Sequence, residues 1–234
     1  MAVFGTKKYD ESPEAKAHRV TLIDELTFEL VPLKSLDAAV QALPAGAEVS
    51  VTCSPTKGIE ETQRLTAELQ SQGFVPIPHV SARMVRDHTH TVELAEWCRE
   101  LGLRQIFIVG GDAEVPGEYP GAVEFLADFL TTSHGIDTIG VTAYPDGHAF
   151  LSHKTLRWAL HEKQRLLAEA GVNGYCSTQM CFDPDAIAKW LRVEREMGLT
   201  LPVHLGISGV VDKAKLLTMG ARLGIGDSLK YLRK

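Results

Sequence analysis

The sequence predicts a barrel of parallel β-strands and α-helices. Strand-like and helix-like segments alternate along the chain, and this rhythm is typical of a parallel sheet with helical crossovers. Six strand-like segments each end in one polar residue among apolar neighbours, and the C-terminal strand ends are where such barrels build active sites. A length of 234 residues suits one barrel domain. The six polar residues are Glu29, Thr52, His79, Asp112, Tyr144 and Gln179.

Seven β/α units follow a charged N-terminal extension of residues 1–24 within one domain of residues 1–234. The strand-like segments read LTFELVP, EVSVTC, FVPIPHV, RQIFIVGGD, IDTIGVTAYP, GYCSTQMCF and LPVHLGI. Helices are predicted near 36–43, 59–73, 91–101, 119–132, 152–170, 184–197 and 211–223, with start signals such as Asp183-Pro184 and glycine stops such as Gly171. No eighth strand is visible after Gly224, so we expect the last β/α unit to be missing or atypical.

Composition excludes several classes of function. The net charge is −6 without a basic run, which argues against nucleic-acid binding. No apolar run approaches the roughly 20 residues that a membrane helix needs, and no signal peptide is recognisable, so the cytoplasm is the expected compartment. A homo-oligomer is compatible with the sequence. The four cysteines lack metal-site spacing and are expected to be reduced, with no metal bound.

Glu29 is the candidate acid. Strand alternation places Thr27 and Glu29 on one face and Phe28 on the other, and the same parity turns Ser177 and Gln179 away from the helices. A partly desolvated carboxyl at a strand end has a raised pKa and can donate a proton near neutral pH. The alternative is an exposed charge at a strand end.

Asp112 follows Gly110 and Gly111 directly after the apolar run IFIV. Two glycines let the backbone approach a ligand closely and present the aspartate at the rim of the sheet. An Asx-capped turn between strand and helix would explain the same residues without a function.

The remaining candidates are weaker individually. His79 ends PIPH and could equally be a structural histidine, whereas Tyr144 and His148 lie in the turn AYPDGH and could stack on a planar ligand or simply form a loop. Thr52 is an ordinary strand residue.

Taken in order, these segments resemble the methylenetetrahydrofolate reductase family. The resemblance runs from about residue 26 to residue 207 through FELVP, SVTCSPTKG, PHVSA, GGD, AYPDGH and STQMCFD. The stretch AGVNGYCSTQMCFDPDAIAKW is especially similar to that family.

The resemblance implies a (β/α)8 TIM-type barrel that binds FAD at its C-terminal face and reduces 5,10-methylenetetrahydrofolate to 5-methyltetrahydrofolate, or the reverse, with NAD(P)H as co-substrate. It implies that Glu29 protonates N10 of the folate, that Asp112 stabilises the resulting cation and contacts the flavin, and that Gln179 bonds the pterin. It further implies a flavin site that is lined by Thr52, His79, Gly110, Gly111, Asp112, Tyr119, Tyr144 and His148.

Two departures from the family pattern predict weak FAD binding. Gly110 stands where the family usually has arginine, and Leu160 and Leu167 stand where it usually has an aspartate and a lysine. Lys163 or Arg165 could compensate from neighbouring positions. Two alternatives stay open: direct hydride transfer from NAD(P)H to the folate without flavin, and a non-catalytic partner subunit that binds folate or flavin.

Overall fold

The computed structural model describes residues 12–209 and contains seven strands and seven α-helices in alternation within that range. The strands are β1 Phe28–Leu30, β2 Glu48–Val51, β3 Val75–Ser81, β4 Gln105–Val109, β5 Thr138–Ala143, β6 Asn173–Thr178 and β7 Val203–His204. The helices are α1 Pro13–Asp24, α2 Leu36–Gln41, α3 Ile59–Ser71, α4 His88–Glu100, α5 Ala122–Phe129, α6 His153–Ala170 and α7 Pro184–Glu196. A short 3₁₀ turn, Ala82–Met84, follows β3.

The seven strands form one parallel sheet in the order β1-β2-β3-β4-β5-β6-β7. Every neighbouring pair is joined by a helical crossover, and the sheet curls into a half-barrel. This confirms the predicted fold class, an incomplete (β/α)8 barrel. Within residues 12–209, no pairing joins β7 back to β1.

The outward face of the sheet packs on the helices, as the strand alternation predicts. Val49 and Val51 of β2 are buried with Leu65 and Leu69 of α3. A larger core is centred on Ile106 and the helices around it. The most buried residues of this core also include Ile108, Phe125, Leu126, Phe129, Ile139, Val141 and Leu167.

Helix boundaries follow local chemistry. The side chain of Asp183 accepts hydrogen bonds from the N–H groups of Asp185 and Ala186 and caps α7, whose first residue is Pro184. Gly171 ends α6 in the left-handed conformation, at φ 67°. Both signals were readable in the sequence, whereas α4 begins at His88 because Asp87 caps it, three residues before the predicted start.

The N-terminal extension contains a helix that the periodicity does not predict. Ser12 caps α1, Pro13 begins it, and none of its residues is buried. A helix without an apolar stripe leaves no period to read, and only the cap and the proline mark it. The predicted helix 211–223 lies outside the described residues.

A buried glutamate joins α6 and α7. Glu194 of α7 lies 2.9 Å from Arg157 Nε and 2.9 Å from His161 Nε2, both on α6. A buried carboxylate needs such partners, because an unpaired buried charge is strongly destabilising. In the described part of the chain, no helix has the length and apolar character needed to cross a membrane.

Candidate functional site

The polar residues that alternate with apolar ones along β1 and β2 lie on the inner face of the sheet. Phe28 and Leu30 pack against the helices, so Glu29 between them faces inward. Ser50 alternates in the same way with Val49 and Val51, and it is paired in register with Glu29. Glu29 therefore faces inward, as the strand alternation predicts.

Glu29 lies where a carboxyl group is partly desolvated but still reaches water. Its side chain is exposed to solvent, yet protein atoms of the concave inner face surround it, and this desolvation raises its pKa. The open half-barrel leaves the carboxyl group access to water. A raised pKa keeps more of the protonated form available near neutral pH.

His79 is buried on the inner face and is neutral. Its Nε2 lies 2.5 Å from the Ser50 hydroxyl, and its ring is 4.7 Å from the Phe107 ring. Burial lowers the pKa of His79 to about 4. A neutral imidazole can both donate and accept one hydrogen bond, so one ring nitrogen is left for a further partner.

Aromatic rings form the floor of the interior. Phe107 and Tyr175 lie 6.1 Å apart, and Tyr175 stacks on His204 at 4.4 Å. Gly140 lies between Phe107 and Tyr175, where a Cβ would come within 2.3 Å of the Phe107 ring and 2.4 Å of the Tyr175 ring. Only glycine leaves room for this contact. Planar ligands bind well against such surfaces.

The segment Gly110-Gly111-Asp112 forms the rim above β4. Gly111 has φ 83°, and a Cβ there would lie 1.9 Å from the Ser81 hydroxyl, so the backbone crosses directly over β3. Arg83 fastens the same loop, donating to Ala113 O at 2.8 Å. Asp112 is exposed at this rim, and its charge adds to the main effect of burial in raising the pKa of Cys53, which follows β2.

Thr52 lies beside the end of β1. Its hydroxyl donates to Leu30 O at 3.2 Å, and its own carbonyl accepts from the Thr62 hydroxyl at 3.4 Å. These bonds give Thr52 a local structural role at the rim between Glu29 and Cys53. Its predicted contact with a flavin stays a prediction.

Tyr144 and His148 meet in the turn after β5. Their rings lie 5.3 Å apart in a T-shaped arrangement, and His148 contacts Phe150 at 5.9 Å. Burial raises the pKa of Tyr144, with a smaller opposing effect from a hydrogen bond with Thr142. The pair offers an aromatic wall at the C-terminal edge of the sheet.

Gln179 follows β6 at the same edge. Its backbone N–H donates to Ala143 O at 2.9 Å, and its side-chain oxygen accepts the N–H of Met180 at 2.9 Å. Within residues 12–209, its amide NH₂ makes no hydrogen bond to protein. The side chain thus keeps donors for a ligand.

Tyr119 is the one candidate that the structure places apart. It is buried in the outer core, its hydroxyl bonds Thr91 at 2.8 Å and also bonds Asp128, and its ring packs edge-on against Phe125. Burial, with the Asp128 hydrogen bond, raises its pKa to about 12. The structure does not bring Tyr119 to the inner face with the other candidates.

Helix α6 carries leucines at the two positions where the family usually has an aspartate and a lysine. Leu160 and Leu167 are buried in the core. Arg165 lies on the outer face and pairs with Glu162 and Glu169, each at 2.5 Å. Lys163 is buried, and its Nζ lies 3.3 Å from both Thr142 O and Thr142 Oγ1. Of the two compensating candidates, only Lys163 therefore faces the sheet.

These positions fit FAD only in part. Tyr144, His148 and the aromatic floor suit the flat ring system, but Leu160 and Leu167 bring no charge to a pyrophosphate, and Arg165 is paired with two glutamates. No group of three or more metal-ligating side chains occurs in residues 12–209.

Sequence reasoning missed Ser50, Ser81, Phe107, Tyr175 and His204 on the inner face. The signal for Ser50 was present, since it alternates with Val49 and Val51 in a strand that ends at Val51, just before Thr52. The sequence did not identify the aromatic residues, because it does not distinguish a buried ring on the inner face from one on the outer face.

Two solved structures show limited similarity to this chain. A protein provisionally described as a lyase/mutase from Burkholderia cenocepacia J2315 is 15% identical with a TM-score of 0.48, over 80% of this chain and 70% of that one. MenC from Desulfotalea psychrophila LSv54 is 10% identical with a TM-score of 0.41, over 79% of this chain and 55% of that one.

The sequence comparison is more specific. The family model described as methylenetetrahydrofolate reductase matches residues 32–224, a range that spans β2 to β7 and all of the site described above except Glu29. Family membership supports an oxidoreductase of folate chemistry. The chain belongs to the methylenetetrahydrofolate reductase family.

Proposed function

We propose that the protein interconverts 5,10-methylenetetrahydrofolate and 5-methyltetrahydrofolate with NAD(P)H, in the cytoplasm. The observation that carries this proposal is the inward-facing Glu29 with its raised pKa, at the same rim as Asp112 and Gln179. Family membership supports the same reaction class. A binding module would have no need of a partly desolvated acid on the inner face.

Each residue has one task in this reaction. Glu29 donates its proton to N10 of the folate, which opens the five-membered ring and leaves a cation at N5 and the methylene carbon. The carboxylate of Asp112 stabilises that cation, and the free amide donors of Gln179 bond the pterin ring. A hydride then completes the methyl group.

The source of the hydride is the second part of the proposal. FAD, when bound, relays the hydride from NAD(P)H. Tyr144 and His148 would pack on its ring, with Thr52, His79 and the Gly110-Gly111 rim around it.

Direct transfer from NAD(P)H is the second candidate. It is favoured by the burial of Leu160 and Leu167 and by the engagement of Arg165 with two glutamates, which leave these three positions of α6 without a free cation for the flavin phosphates. We therefore propose that FAD binds weakly, with a dissociation constant in the micromolar range or above, about −8 kcal/mol or weaker.

Titration of the purified chain with FAD, followed by flavin fluorescence, together with NAD(P)H-dependent folate reduction with and without FAD, tests both parts. Reduction that requires FAD supports the relay, and steady reduction without FAD supports direct transfer. Nanomolar FAD binding would overturn the weak-binding proposal. Absence of both binding and reduction would leave a non-catalytic partner subunit as the function.

Arg165→Gln is the matched control for the titration. Because Arg165 pairs with glutamates on the outer face, we expect its loss to leave FAD affinity unchanged. A weakened affinity would show that Arg165 reaches the phosphates after all.

A further inference from the structure

His204, the last residue of β7, lies on the inner face of the sheet. Its neighbour Val203 packs against the outer core, and His204 itself pairs in register with the inward-facing Ser177. The chain beyond His204 is fastened to β6, because the Gly206 N–H donates to Thr178 Oγ1 at 3.0 Å. The backbone therefore holds the imidazole at a fixed place in the concave interior.

Tyr175 is a rigid platform for the His204 ring. The two rings stack with their centroids 4.4 Å apart and 23° between their planes. Tyr175 is 7% exposed, its hydroxyl accepts a hydrogen bond from Gln105 Nε2 at 3.1 Å, and the Phe107 ring lies 6.1 Å away. Gly140 leaves the space that the Tyr175 ring occupies. A ring stacked on such a partner has a restricted orientation.

His204 has no polar partner of its own among the described residues. Neither ring nitrogen makes a hydrogen bond within residues 12–209, and the residue stays exposed. Desolvation by the surrounding protein atoms lowers its pKa, against a smaller opposing effect of the Glu48 charge, so the ring is neutral at pH 7. A neutral imidazole offers one donor and one acceptor, and both are left for a ligand.

The stack on Tyr175 does not by itself explain an imidazole at this place. An apolar ring would make the same stack without bringing two polar atoms into a partly desolvated site. The neighbouring strand carries further polar groups on the same face, since Ser177 is the register partner of His204 and Gln179 follows roughly 7 Å further along. The amide NH₂ of Gln179 also makes no hydrogen bond to protein within residues 12–209. Unused donors and an unused acceptor thus lie along one wall of the interior.

We propose that His204 is a ligand-binding residue whose imidazole, oriented by Tyr175, hydrogen-bonds the amide-like N–H and C=O edge of a fused heteroaromatic ring. The pterin of a folate and the ring system of a flavin share this edge. The inference rests on the proposed function, since it deepens the description of the same site. A side chain that is already held in its binding orientation loses less entropy when the ligand binds.

Histidine NMR on the full chain tests the contact. In protein labelled with ¹³C-histidine, the His204 signal is identified by its loss in His204→Phe. FAD and 5-methyltetrahydrofolate are added separately, and calorimetry follows their binding. We expect at least one bound probe to shift the His204 signal, whereas His134, stacked on Phe129 in the outer core, keeps its position. A shift with FAD alone identifies the flavin ring as the ligand group, and a shift with the folate alone identifies the pterin.

Affinity measurements on three variants separate hydrogen bonding from packing. His204→Phe keeps a ring for the stack but removes both nitrogens, so it should weaken the binding of the shifting probe by about 3- to 10-fold, the value of one hydrogen bond. His204→Gln keeps a donor and an acceptor and should lose less. The control is His88→Phe on the outer face, where His88 contacts Asp128 at 2.8 Å, and it should bind both probes like wild type. Circular dichroism verifies that each variant is folded. Wild-type affinity in His204→Phe would overturn the proposal.

A double-variant comparison tests the orienting role of Tyr175. If the platform acts through His204, Tyr175→Leu should weaken binding in wild type and cause a smaller further loss in a His204→Phe background. Equal losses in the two backgrounds would show that Tyr175 only supports the floor, and would overturn its role in orienting the imidazole.

The assay of NAD(P)H-dependent folate reduction keeps this inference separate from the proposed function. Intact reduction with an unmoved His204 signal would overturn the inference and leave the proposed function standing. A His204 signal that a bound probe shifts, in protein that reduces no folate, would support the inference and overturn the proposed catalysis. Absence of binding by both probes would overturn the inference, and the reduction assay would then decide the function alone.

Discussion

The Ser50 hydroxyl and the His79 imidazole join strands β2 and β3 across the inner face of the sheet, with 2.5 Å between Oγ and Nε2. Both side chains are buried, and the His79 ring also packs against Phe107. This contact fixes the orientation of the imidazole, which burial keeps neutral, beneath the rim that carries Glu29 and Asp112.

The first prediction concerns the pH dependence of stability. Burial lowers the folded-state pKa of His79 to about 4, from an ordinary value of 6.5. Between these values the unfolded state binds more protons, so the free energy of unfolding rises with pH. The contribution is fully present above about pH 6.5 and is lost as the pH falls towards 4, by at most about 3 kcal/mol.

Urea unfolding of wild type and His79→Gln between pH 4 and 7 measures this contribution. The variant should lose less stability on acidification than wild type. His18→Gln, on the exposed helix α1, is the control and should follow the wild-type curve. Parallel curves for wild type and His79→Gln would show that His79 does not titrate with folding.

The second prediction concerns Glu29 as the acid. Glu29→Gln removes the proton donor and should lower folate reduction by about 10²- to 10⁴-fold. In wild type, kcat/KM should fall as the pH rises through the raised pKa of Glu29, because the protonated form is the active one. That decline should be absent from the residual rate of the variant.

Glu48→Gln is the matched control for Glu29. Glu48 lies at the opposite end of β2 and accepts a hydrogen bond from Thr27 at 3.1 Å, so its neutralisation should leave turnover near the wild-type rate. A Glu29→Gln variant that keeps more than about a tenth of wild-type turnover would rule Glu29 out as the acid.

The third prediction concerns Asp112. Since the developing cation belongs to the folate, Asp112→Asn should slow the folate half-reaction more than the NAD(P)H half-reaction in FAD-loaded protein. Stopped-flow absorbance of the flavin resolves the two halves. Glu114→Gln, an exposed change in the same loop, should alter neither half, and equal slowing of both halves by Asp112→Asn would contradict the role.

The fourth prediction compares two adjacent glycines by stability. Gly111→Ala places a Cβ 1.9 Å from the Ser81 hydroxyl at φ 83°, so it should lower the free energy of unfolding by roughly 1–3 kcal/mol. Gly110→Ala meets nothing within 4 Å and should change it by less than about 0.5 kcal/mol.

Ser81→Ala provides the check on the cause. Removing the hydroxyl should recover part of the loss in Gly111→Ala, because the close contact is relieved while the backbone strain remains. Equal effects of Gly110→Ala and Gly111→Ala in chemical denaturation would show that the loop moves away freely.

The sequence by itself determined the parallel α/β fold and the inward direction of Glu29. Both follow from period: strands alternate every two residues, so a polar residue between Phe28 and Leu30 has to face away from the helices. Asp183 and Gly171 likewise mark helix ends through local backbone chemistry that needs no partner elsewhere.

Only the tertiary structure decided which side chains meet. Three contacts join residues from different elements. Ser50 contacts His79, Gly111 closely approaches Ser81, and Lys163 contacts Thr142. Tyr119 shows the limit most directly, since the family resemblance implied a flavin contact, whereas packing against Phe125 places it in the outer core. Sequence period fixes the face of a residue within one strand, but the residue that it contacts depends on how the sheet curls and how each helix docks on it.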